Sequence, residues 1–283
     1  MNQFSGCLLI NKKVGSTSRE EVNAVSKILG IKKCGHIGTL DPFASGLLIV
    51  LVNKATKLSP FLECQDKTYV AKIKFGQATD TADLNGKIIE EKEVPNLSKD
   101  IIEEVLKSFL GDSQQLPPMY SALKHNGKHY YDYARKGIEI ERKPRTIHIY
   151  DIRFLSYEDN CLTFVARVSK GTYLRTLGED IAKKLNTLGH LVALERTSIG
   201  RFLLKDAIKS NEVSVDKLIS INDMLKDYPS ICLSKEDVFK ALNGVRLEIK
   251  CNAPLVIVKD NDSIIAMYQK EKDNTYHCLR GLR

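Results

Sequence analysis

Hydrophobic and polar residues alternate cleanly in two stretches of the chain and run together in a third. The alternating stretches are TYVAKIKF, at residues 68 to 75, and CLTFVARV, at residues 161 to 168. Because successive side chains of a strand point to opposite faces, this pattern predicts two half-buried β-strands. The continuous apolar run LLIVLV, at residues 47 to 52, predicts a strand buried on both faces.

Apolar residues recur at helical spacing in three other segments. The first, residues 16 to 30, reads STSREEVNAVSKILG, and Ser18 predicts its N-cap because Glu21 follows three positions later. Two further helices are predicted within residues 98 to 111 and 169 to 185.

The predicted strands and helices are mixed without regular βαβ alternation and without an internal repeat, which indicates the α+β class. Near residue 225 the sequence changes to short apolar segments that are typical of a small β unit. We therefore expect a main domain over residues 1 to 225 and a smaller one over residues 226 to 283.

The segment between the first predicted helix and the buried strand is GHIGTLDPFASG, residues 35 to 46. Its three glycines tolerate backbone conformations closed to other residues, and Pro42 biases the preceding Asp41 toward extended geometry. One interpretation is a shaped loop that presents the Asp41 carboxylate. The other is an ordinary Asx turn, which any Asp-Pro sequence can form, and the local sequence leaves both open.

Charge and cysteine content narrow the class of protein. The formal net charge of +8 over 283 residues indicates an anionic partner. The seven cysteines are odd in number and form no Cys-x-x-Cys pair, so neither a disulfide framework nor a zinc site is indicated. The start of the chain has no leader pattern, and no apolar stretch approaches the roughly 18 residues of a membrane span. These features predict a cytoplasmic protein with no membrane association.

Residues 124 to 145 combine lysines and arginines with histidines and tyrosines. Cationic side chains neutralise phosphates and flat rings stack on unpaired bases, so the mixture suits a structured RNA. A solvated loop whose tyrosines pack at the domain edge would have the same composition, and the segment alone does not separate the two.

The sequence contains no complete motif for a metal or a cofactor. TADLNG resembles part of a calcium loop, but Lys92 stands where the closing acid belongs. The glycines before Asp41 do not form a phosphate-binding P-loop, and the histidines are scattered. We therefore expect no metal and no cofactor.

Four segments, in this order and at this spacing, resemble the TruB family of pseudouridine synthases over about residues 5 to 205. They are GHIGTLDPFASGLL, KTYVAKIKFGQATDTADLNGKI, LPPMYSALKHNGKHYYDYARKG and SKGTYLRTLGEDIA. The resemblance implies a pseudouridine synthase fold, with a central mixed, mainly antiparallel sheet flanked by helices and a small C-terminal β-rich module like the RNA-binding PUA module. It also implies an RNA-contacting insertion at about residues 120 to 150.

The activity implied by this resemblance is isomerisation of uridine to pseudouridine at position 55, in the T loop of tRNA. The target base would be flipped out of the loop to reach the enzyme. The family uses no cofactor. Its members are expected to act as monomers without an obligate protein partner, and a tRNA-folding chaperone role can accompany catalysis.

The resemblance also implies roles for residues. Asp41 corresponds to the catalytic aspartate, which acts on the ribose as a nucleophile or as a base, and Arg175 to the arginine that pairs with it. Tyr69 corresponds to the tyrosine that stacks on the target base, Tyr173 to a second tyrosine of the pocket, and Leu194 to a leucine that packs on the base.

His36 corresponds to a histidine that takes part in the rearrangement of the RNA loop. The RNA-binding residues implied in the insertion are Lys124, Lys128, Arg135, Lys136, Arg142 and Arg145. Two positions depart from the family pattern: Lys13 replaces a proline in an early turn, and Glu195 stands where an arginine is common. The first should loosen a turn, and the second should remove one RNA contact.

Two alternatives accompany this hypothesis. A glycoside hydrolase would pair Asp41 with a second acid such as Asp80 or Asp83, but it would leave the basic segment without a role. An RNA chaperone would keep its function when Asp41 is substituted, whereas an isomerase would lose it.

Overall fold

The computed structural model describes residues 4 to 282, which form two large β-sheets and two small two-stranded ones, with helices packed around them. The strands, in chain order, are β1 (Gly6–Lys12), β2 (Cys34–Ile37), β3 (Ser45–Val52), β4 (Lys67–Phe75), β5 (Gln77–Thr79), β6 (Ile88–Glu91), β7 (Gly111–Gln115), β8 (Lys124–His125), β9 (Lys128–His129), β10 (Arg145–Glu158), β11 (Cys161–Val168), β12 (Gly189–Ile199), β13 (Phe202–Leu203), β14 (Ile219–Ser220), β15 (Ser230–Cys232), β16 (Leu247–Glu248), β17 (Leu255–Asp260), β18 (Ser263–Lys272) and β19 (Thr275–Gly281).

The α-helices are α1 (Ser18–Leu29), α2 (Ser59–Glu63), α3 (Lys99–Lys107), α4 (Tyr130–Ala134), α5 (Leu174–Lys184), α6 (Ile221–Met224) and α7 (Lys235–Leu242). Short turns of 3-10 helix cover Asn53–Leu58, Leu204–Asp206, Ser210–Glu212 and Val215–Lys217. Across residues 4 to 282, none of the helices is both long and apolar enough to cross a membrane.

The large sheet has the strand order β14-β1-β3-β12-β4-β11-β10-β7, with β2 paired to β3 and β13 to β12. Its pairs are antiparallel, apart from a short parallel contact in which Ser45 and Gly46 of β3 face Glu195 and Arg196 of β12. Together with the smaller C-terminal sheet described below, this confirms the predicted α+β class with a mixed, mainly antiparallel sheet. The parallel contact brings the strand that follows Asp41 beside the strand that carries Leu194.

The alternating stretches form β4 and β11, as predicted, and they pair along their whole length. Their inward side chains, including Tyr69, Ile73 and Phe164, lie under α3 and α5 in one core. Burying each large apolar side chain contributes about 1.5 to 3 kcal/mol, so this core holds the helix that begins beside Tyr173 firmly against the sheet. The continuous run forms β3, whose two faces pack into two different clusters.

The N-cap of the first helix lies one residue earlier than predicted. Thr17, rather than Ser18, is the N-cap: its hydroxyl accepts a hydrogen bond from the Glu20 backbone, and the Glu20 carboxylate accepts one from Thr17 N (2.7 Å). The predicted pair of Ser18 and Glu21 was wrong because the Ser18 hydroxyl bonds to the Leu40 backbone instead.

The C-terminal part forms a second, smaller sheet in the order β15-β17-β18-β19-β16, packed with α7 around its own cluster. The other face of this sheet contributes Ile257, Met267 and Leu282 to a cluster that also contains Cys7 and Leu9 of β1. The two sheets therefore share buried apolar surface. The boundary at residues 225 and 226 stays a prediction.

Candidate active site

Asp41 lies in the loop between β2 and β3, beside a cavity of about 460 Å³. The cavity walls come from this loop, from β4 and β12, from the segment before β8, and from the start of α5. The Leu40 backbone bonds to the buried Ser18 hydroxyl through both its N–H (2.9 Å) and its carbonyl (3.1 Å). The residue before Asp41 is therefore held by α1, which favours the shaped loop over a free Asx turn.

A buried lysine braces the other side of the loop. Lys12 is fully buried, and its Nζ donates to the carbonyls of Ser16 (2.6 Å) and Pro42 (3.5 Å). Gly15 N also donates to Pro42 O (2.8 Å). In the turn where Lys13 replaces the usual proline of the family, Ser16 Oγ donates to Lys13 O (3.0 Å). Burial lowers the pKa of Lys12.

Close contacts with Arg196 explain two of the glycines around Asp41. Gly46 has φ +102°, and a Cβ there would lie 2.4 Å from Arg196 O, so the parallel contact between β3 and β12 requires glycine. Gly38 has φ +63°, and its carbonyl accepts a hydrogen bond from Arg196 Nη2 (2.7 Å). Arg196 Nε donates to Leu47 O (2.8 Å). One fully buried arginine thus holds both ends of the loop.

Arg175, on the first turn of α5, forms a two-point ion pair with Asp41. Its Nε lies 3.0 Å from Asp41 Oδ2 and its Nη2 lies 3.3 Å from Asp41 Oδ1. The remaining donors reach Thr81 O (3.0 Å) and Tyr120 O (2.6 Å), and Nη1 lies 3.8 Å from Asp83 Oδ2. The Arg175 side chain is 4% exposed, so this planar fork is fixed from all sides.

Opposing effects act on the pKa of Asp41, and burial is the largest, so the pKa lies above its ordinary value. Enclosure by the cavity walls raises the pKa of Asp41, the Arg175 guanidinium lowers it, and the nearby Asp83 carboxylate raises it again. The Asp41 side chain keeps 35% exposure because it opens into the cavity. The site therefore presents a carboxylate that Arg175 orients, and a ligand entering the cavity can reach it.

Aromatic and apolar side chains line the rest of the cavity. Tyr69 on β4 and Leu194 on β12 are each 7% exposed, and Tyr173 precedes α5. Gln115 fixes the Tyr173 backbone, since its Nε2 donates to Tyr173 O (3.1 Å) and its Oε1 accepts from Tyr173 N (2.7 Å). Such walls suit a flat ring held next to a carboxylate.

The structure brings five of the six predicted pocket residues to this one cavity and places His36 outside the lining. The five are Asp41, Tyr69, Tyr173, Arg175 and Leu194. His36 lies on β2, with Nε2 3.2 Å from Thr39 Oγ1. Burial lowers the pKa of His36, and the charge of Arg196 lowers it further, so the imidazole is neutral at pH 7.

The predicted RNA-binding residues belong to the segment around the β8-β9 hairpin and α4, which ends where β10 begins. Arg142 is half-buried and donates from Nη1 to Pro117 O (3.0 Å). The exposed members are Lys124, Lys128, Arg135, Lys136 and Arg145. Ser121 and Leu123 of the same segment line the cavity, so the basic surface continues to the site.

Four polar residues of the site were missed by the sequence reasoning. From the sequence, Asp83 fits only a calcium loop or the second acid of a hydrolase. Lys67 and Arg196 do have a signal, since strand alternation places them on the same faces as Tyr69 and Leu194, two residues away. Gln115 had no local signal. Within the part of the chain that the structure describes, no group of three or more potential metal ligands is present.

Comparison with known proteins identifies the family. The model of the TruB family pseudouridylate synthases (N-terminal domain) matches residues 26 to 174. The tRNA pseudouridine synthase B of Hydrogenovibrio crunogenus is 43% identical over 251 residues, 88% of this chain and 83% of that protein. The protein of the same name from Mesoplasma florum is 37% identical over 281 residues, 98% of both chains.

Among solved structures, a chain in the crystal structure of a Cbf5-Nop10-Gar1 complex superposes with a TM-score of 0.74. The two chains are 23% identical, and the superposition covers 99% of this chain and 85% of the chain in the complex. At this identity the likeness supports the fold alone. The glycoside hydrolase alternative is thereby excluded, because the matching family model and the relatives are those of pseudouridine synthases. The match of the family model, the identity to these relatives and the cavity around Asp41 lead to one conclusion. The chain belongs to the TruB family of pseudouridylate synthases, enzymes of the isomerase class.

Proposed function

We propose that the chain converts uridine to pseudouridine at position 55, in the T loop of tRNA. The observation that carries the proposal is the Asp41 carboxylate, oriented by Arg175 at the wall of a cavity with aromatic and apolar sides. The named relatives are tRNA pseudouridine synthases, which supports tRNA as the substrate. The basic segment of residues 124 to 145 supplies charge that suits the tRNA backbone.

The reaction rearranges bonds without adding or removing atoms. The glycosidic bond from ribose C1′ to uracil N1 breaks, the ring turns, and a bond forms from C1′ to C5. C5 then loses its proton to solvent while N1 gains one, so no oxidant, reductant or group donor is consumed. Asp41 acts on the ribose, either as the nucleophile at C1′ or as the base that removes a ribose proton.

The other residues have supporting roles in this proposal. Arg175 keeps Asp41 ionised and oriented in an enclosed site that a bare carboxylate would resist entering. Tyr69 stacks on the flipped uracil, and Leu194 and Tyr173 pack around it. His36 contacts the tRNA loop that the flipped base vacates.

RNA contacts outside the cavity complete the proposal. The exposed cations Lys124, Lys128, Arg135, Lys136 and Arg145 contact phosphates of the T arm, with Arg142 bracing the segment behind them. The C-terminal sheet acts as a short PUA-like RNA-binding module. The chain works as a monomer in the cytoplasm, without a partner protein or cofactor, and its tRNA-folding activity accompanies catalysis.

The test is release of tritium from an unmodified tRNA transcript labelled at carbon 5 of uridine. We expect the wild type to release one equivalent, mapped to position 55, and Asp41→Asn to release it at least about 10²- to 10⁴-fold more slowly, as expected when an acid-base or nucleophilic group is lost. The exposed Asp100 on α3 gives the control, since Asp100→Asn should keep the wild-type rate.

Binding of tRNA by Asp41→Asn, measured separately, distinguishes a lost reaction from a lost fold. A folded wild type that binds tRNA but releases no tritium would overturn the proposal and leave an RNA-binding chaperone. Refolding of a misfolded tRNA by Asp41→Asn would show that the chaperone role does not need the carboxylate.

A further inference from the structure

Two buried cations, Lys67 and Arg196, line the cavity of Asp41 without a carboxylate partner. Lys67 is 7% exposed and Arg196 is 0% exposed. Within residues 4 to 282, no carboxylate oxygen lies within 4.0 Å of a side-chain nitrogen of Lys67 or Arg196, so neither forms an ion pair. The nearest acids act on Lys67 only from beyond this distance: Asp66 pairs with Arg167, and Glu63, which also lines the cavity, accepts a hydrogen bond from Ser59 Oγ (3.1 Å).

Carbonyl oxygens satisfy only part of the donor capacity of these two groups. Lys67 Nζ donates to Glu63 O (3.1 Å) and Gln65 O (2.6 Å), which leaves one of its three donors. Arg196 uses Nε and Nη2 on Leu47 O and Gly38 O, and within the described residues no hydrogen bond is assigned to its Nη1. Buried charges without a contacting counter-charge are costly, so the presence of both groups here suits an anion that binds between them.

Gly38 keeps the space between the two cations open. A methyl group at this position would lie 3.1 Å from Arg196 Nη1 and 3.4 Å from Lys67 Cε. Both cations therefore flank one residue that has no side chain, three positions before Asp41. Any side chain at Gly38 would occupy the approach to both groups.

We propose that Lys67 and Arg196 form an anion subsite that binds one phosphodiester of the substrate RNA beside the target uridine. The inference rests on the proposed function and adds the group that this part of the cavity recognises. A nucleotide whose ribose faces Asp41 brings its own flanking phosphates into the same cavity. The subsite differs from the exposed lysines of the basic segment because its charges are shielded from water, where a single phosphate contact is worth more.

The test couples one charge on the protein to one charge on the RNA. T-arm hairpins are prepared in which each phosphate flanking the target uridine is replaced in turn by an uncharged methylphosphonate. Equilibrium binding is measured in an Asp41→Asn background, which stops turnover, with Lys67 intact, with Lys67→Gln, and with Lys72→Gln as control. Lys72 is an exposed lysine on the opposite face of the same strand, β4.

We expect one linkage at which the methylphosphonate weakens binding about tenfold when Lys67 is present, as for loss of a charge-assisted hydrogen bond. With Lys67→Gln the same replacement should change binding less than about twofold, and with Lys72→Gln the tenfold loss should persist. An equal loss with and without Lys67 would overturn the subsite and leave both cations as braces of the Asp41 loop.

A second measurement does not depend on the stability of Lys67→Gln. In the protein with Lys67 intact, the sensitive methylphosphonate should lower the salt dependence of binding by about one charge. If no flanking linkage is sensitive, the proposal is wrong. Tritium release by the wild type with no coupling at Lys67 would overturn only the subsite, whereas coupling without tritium release would overturn only the synthase proposal.

Discussion

At the scale of single residues, the site is organised by Arg175, whose guanidinium joins three segments far apart in the chain. It contacts Asp41, 134 positions away, the Thr81 carbonyl, 94 positions away, and the Tyr120 carbonyl, 55 positions away. Arginine stays charged at any physiological pH, so the positive charge of Arg175 beside Asp41 does not change with pH. The protonation states of the surrounding carboxyl groups decide the local charge.

Glu179, one helical turn after Arg175, is a carboxyl group whose pKa is strongly raised. Burial and the neighbouring Asp180 raise the pKa of Glu179 to about 7, against the opposing effect of Arg175 and Arg142. Between pH 4.5 and 7 the folded state holds a proton that the unfolded chain has lost. The free energy of unfolding should therefore fall as pH rises through this window. The energetic cost of holding Glu179 ionised in the folded state is fully present above pH 7.

Replacing Glu179 with Gln should remove this cost. We expect Glu179→Gln to raise the free energy of unfolding by about 1 to 2 kcal/mol at pH 8 and to leave it nearly unchanged at pH 4, because each pKa unit corresponds to about 1.4 kcal/mol. Urea unfolding at both pH values gives the measurement. Glu104→Gln, on the exposed face of α3, is the control, and an equal gain at both pH values would show that the raised pKa is not the cause.

At the scale of elements, the start of α5 is held by a strand that is distant in sequence. Gln115, at the end of β7, pairs through its amide with both backbone groups of Tyr173, 58 positions later. This side chain takes the place of a strand partner at the residue that leads into the helix. It thereby connects the basic segment, which follows β7, to the residue that precedes Arg175.

Loss of this amide should destabilise the protein. Gln115→Leu leaves the Tyr173 N–H without a partner and removes one of the two hydrogen bonds that the Tyr173 carbonyl accepts, the other coming from Leu177 N (3.0 Å). We therefore expect a loss of about 1 to 3 kcal/mol in the free energy of unfolding. Gln114→Leu, at the exposed neighbouring position, removes only a hydrogen bond to Thr146 Oγ1 and should cost about 1 kcal/mol or less. Urea denaturation measures the free energy of unfolding of both variants. Equal losses in the two would show that the contact between Gln115 and Tyr173 does not stabilise the protein.

At the scale of the whole molecule, the two sheets are joined by a shared apolar cluster. In β17, Val256 faces the cluster confined to the C-terminal part, whereas Ile257 faces the cluster shared with β1 and β3. Adjacent residues of one strand thus report on two different cores. Shared burial of this kind couples the unfolding of the two parts.

Hydrogen exchange can measure that coupling. We expect Ile257→Ala to cost about 2 to 5 kcal/mol and to speed exchange both in the C-terminal sheet and in β1 and β3. Val256→Ala should speed exchange in the C-terminal sheet only. Faster exchange confined to the C-terminal sheet in both variants would mean that the two sheets unfold independently.

The local sequence was sufficient for the features that depend on neighbouring residues. Alternation predicted β4 and β11, an apolar run predicted β3, and helical spacing placed α1, α3 and α5 within a few residues. These patterns are short-range, because the periods of strands and helices are set by backbone geometry. The glycines and the proline around Asp41 likewise indicated a shaped loop, and four collinear motifs indicated the family.

Only the tertiary structure decided which polar side chains are buried and what each one contacts. The cap of α1 moved to Thr17 because Ser18 bonds to Leu40, 22 positions away. The burial of Arg196 depends on Leu47 O and Gly38 O, which lie 149 and 158 positions away. No local pattern records such distances, since a buried charge is stabilised by groups that only folding brings together. The sequence by itself determined the strongly periodic elements and the family, and folding determined the environment of Asp41.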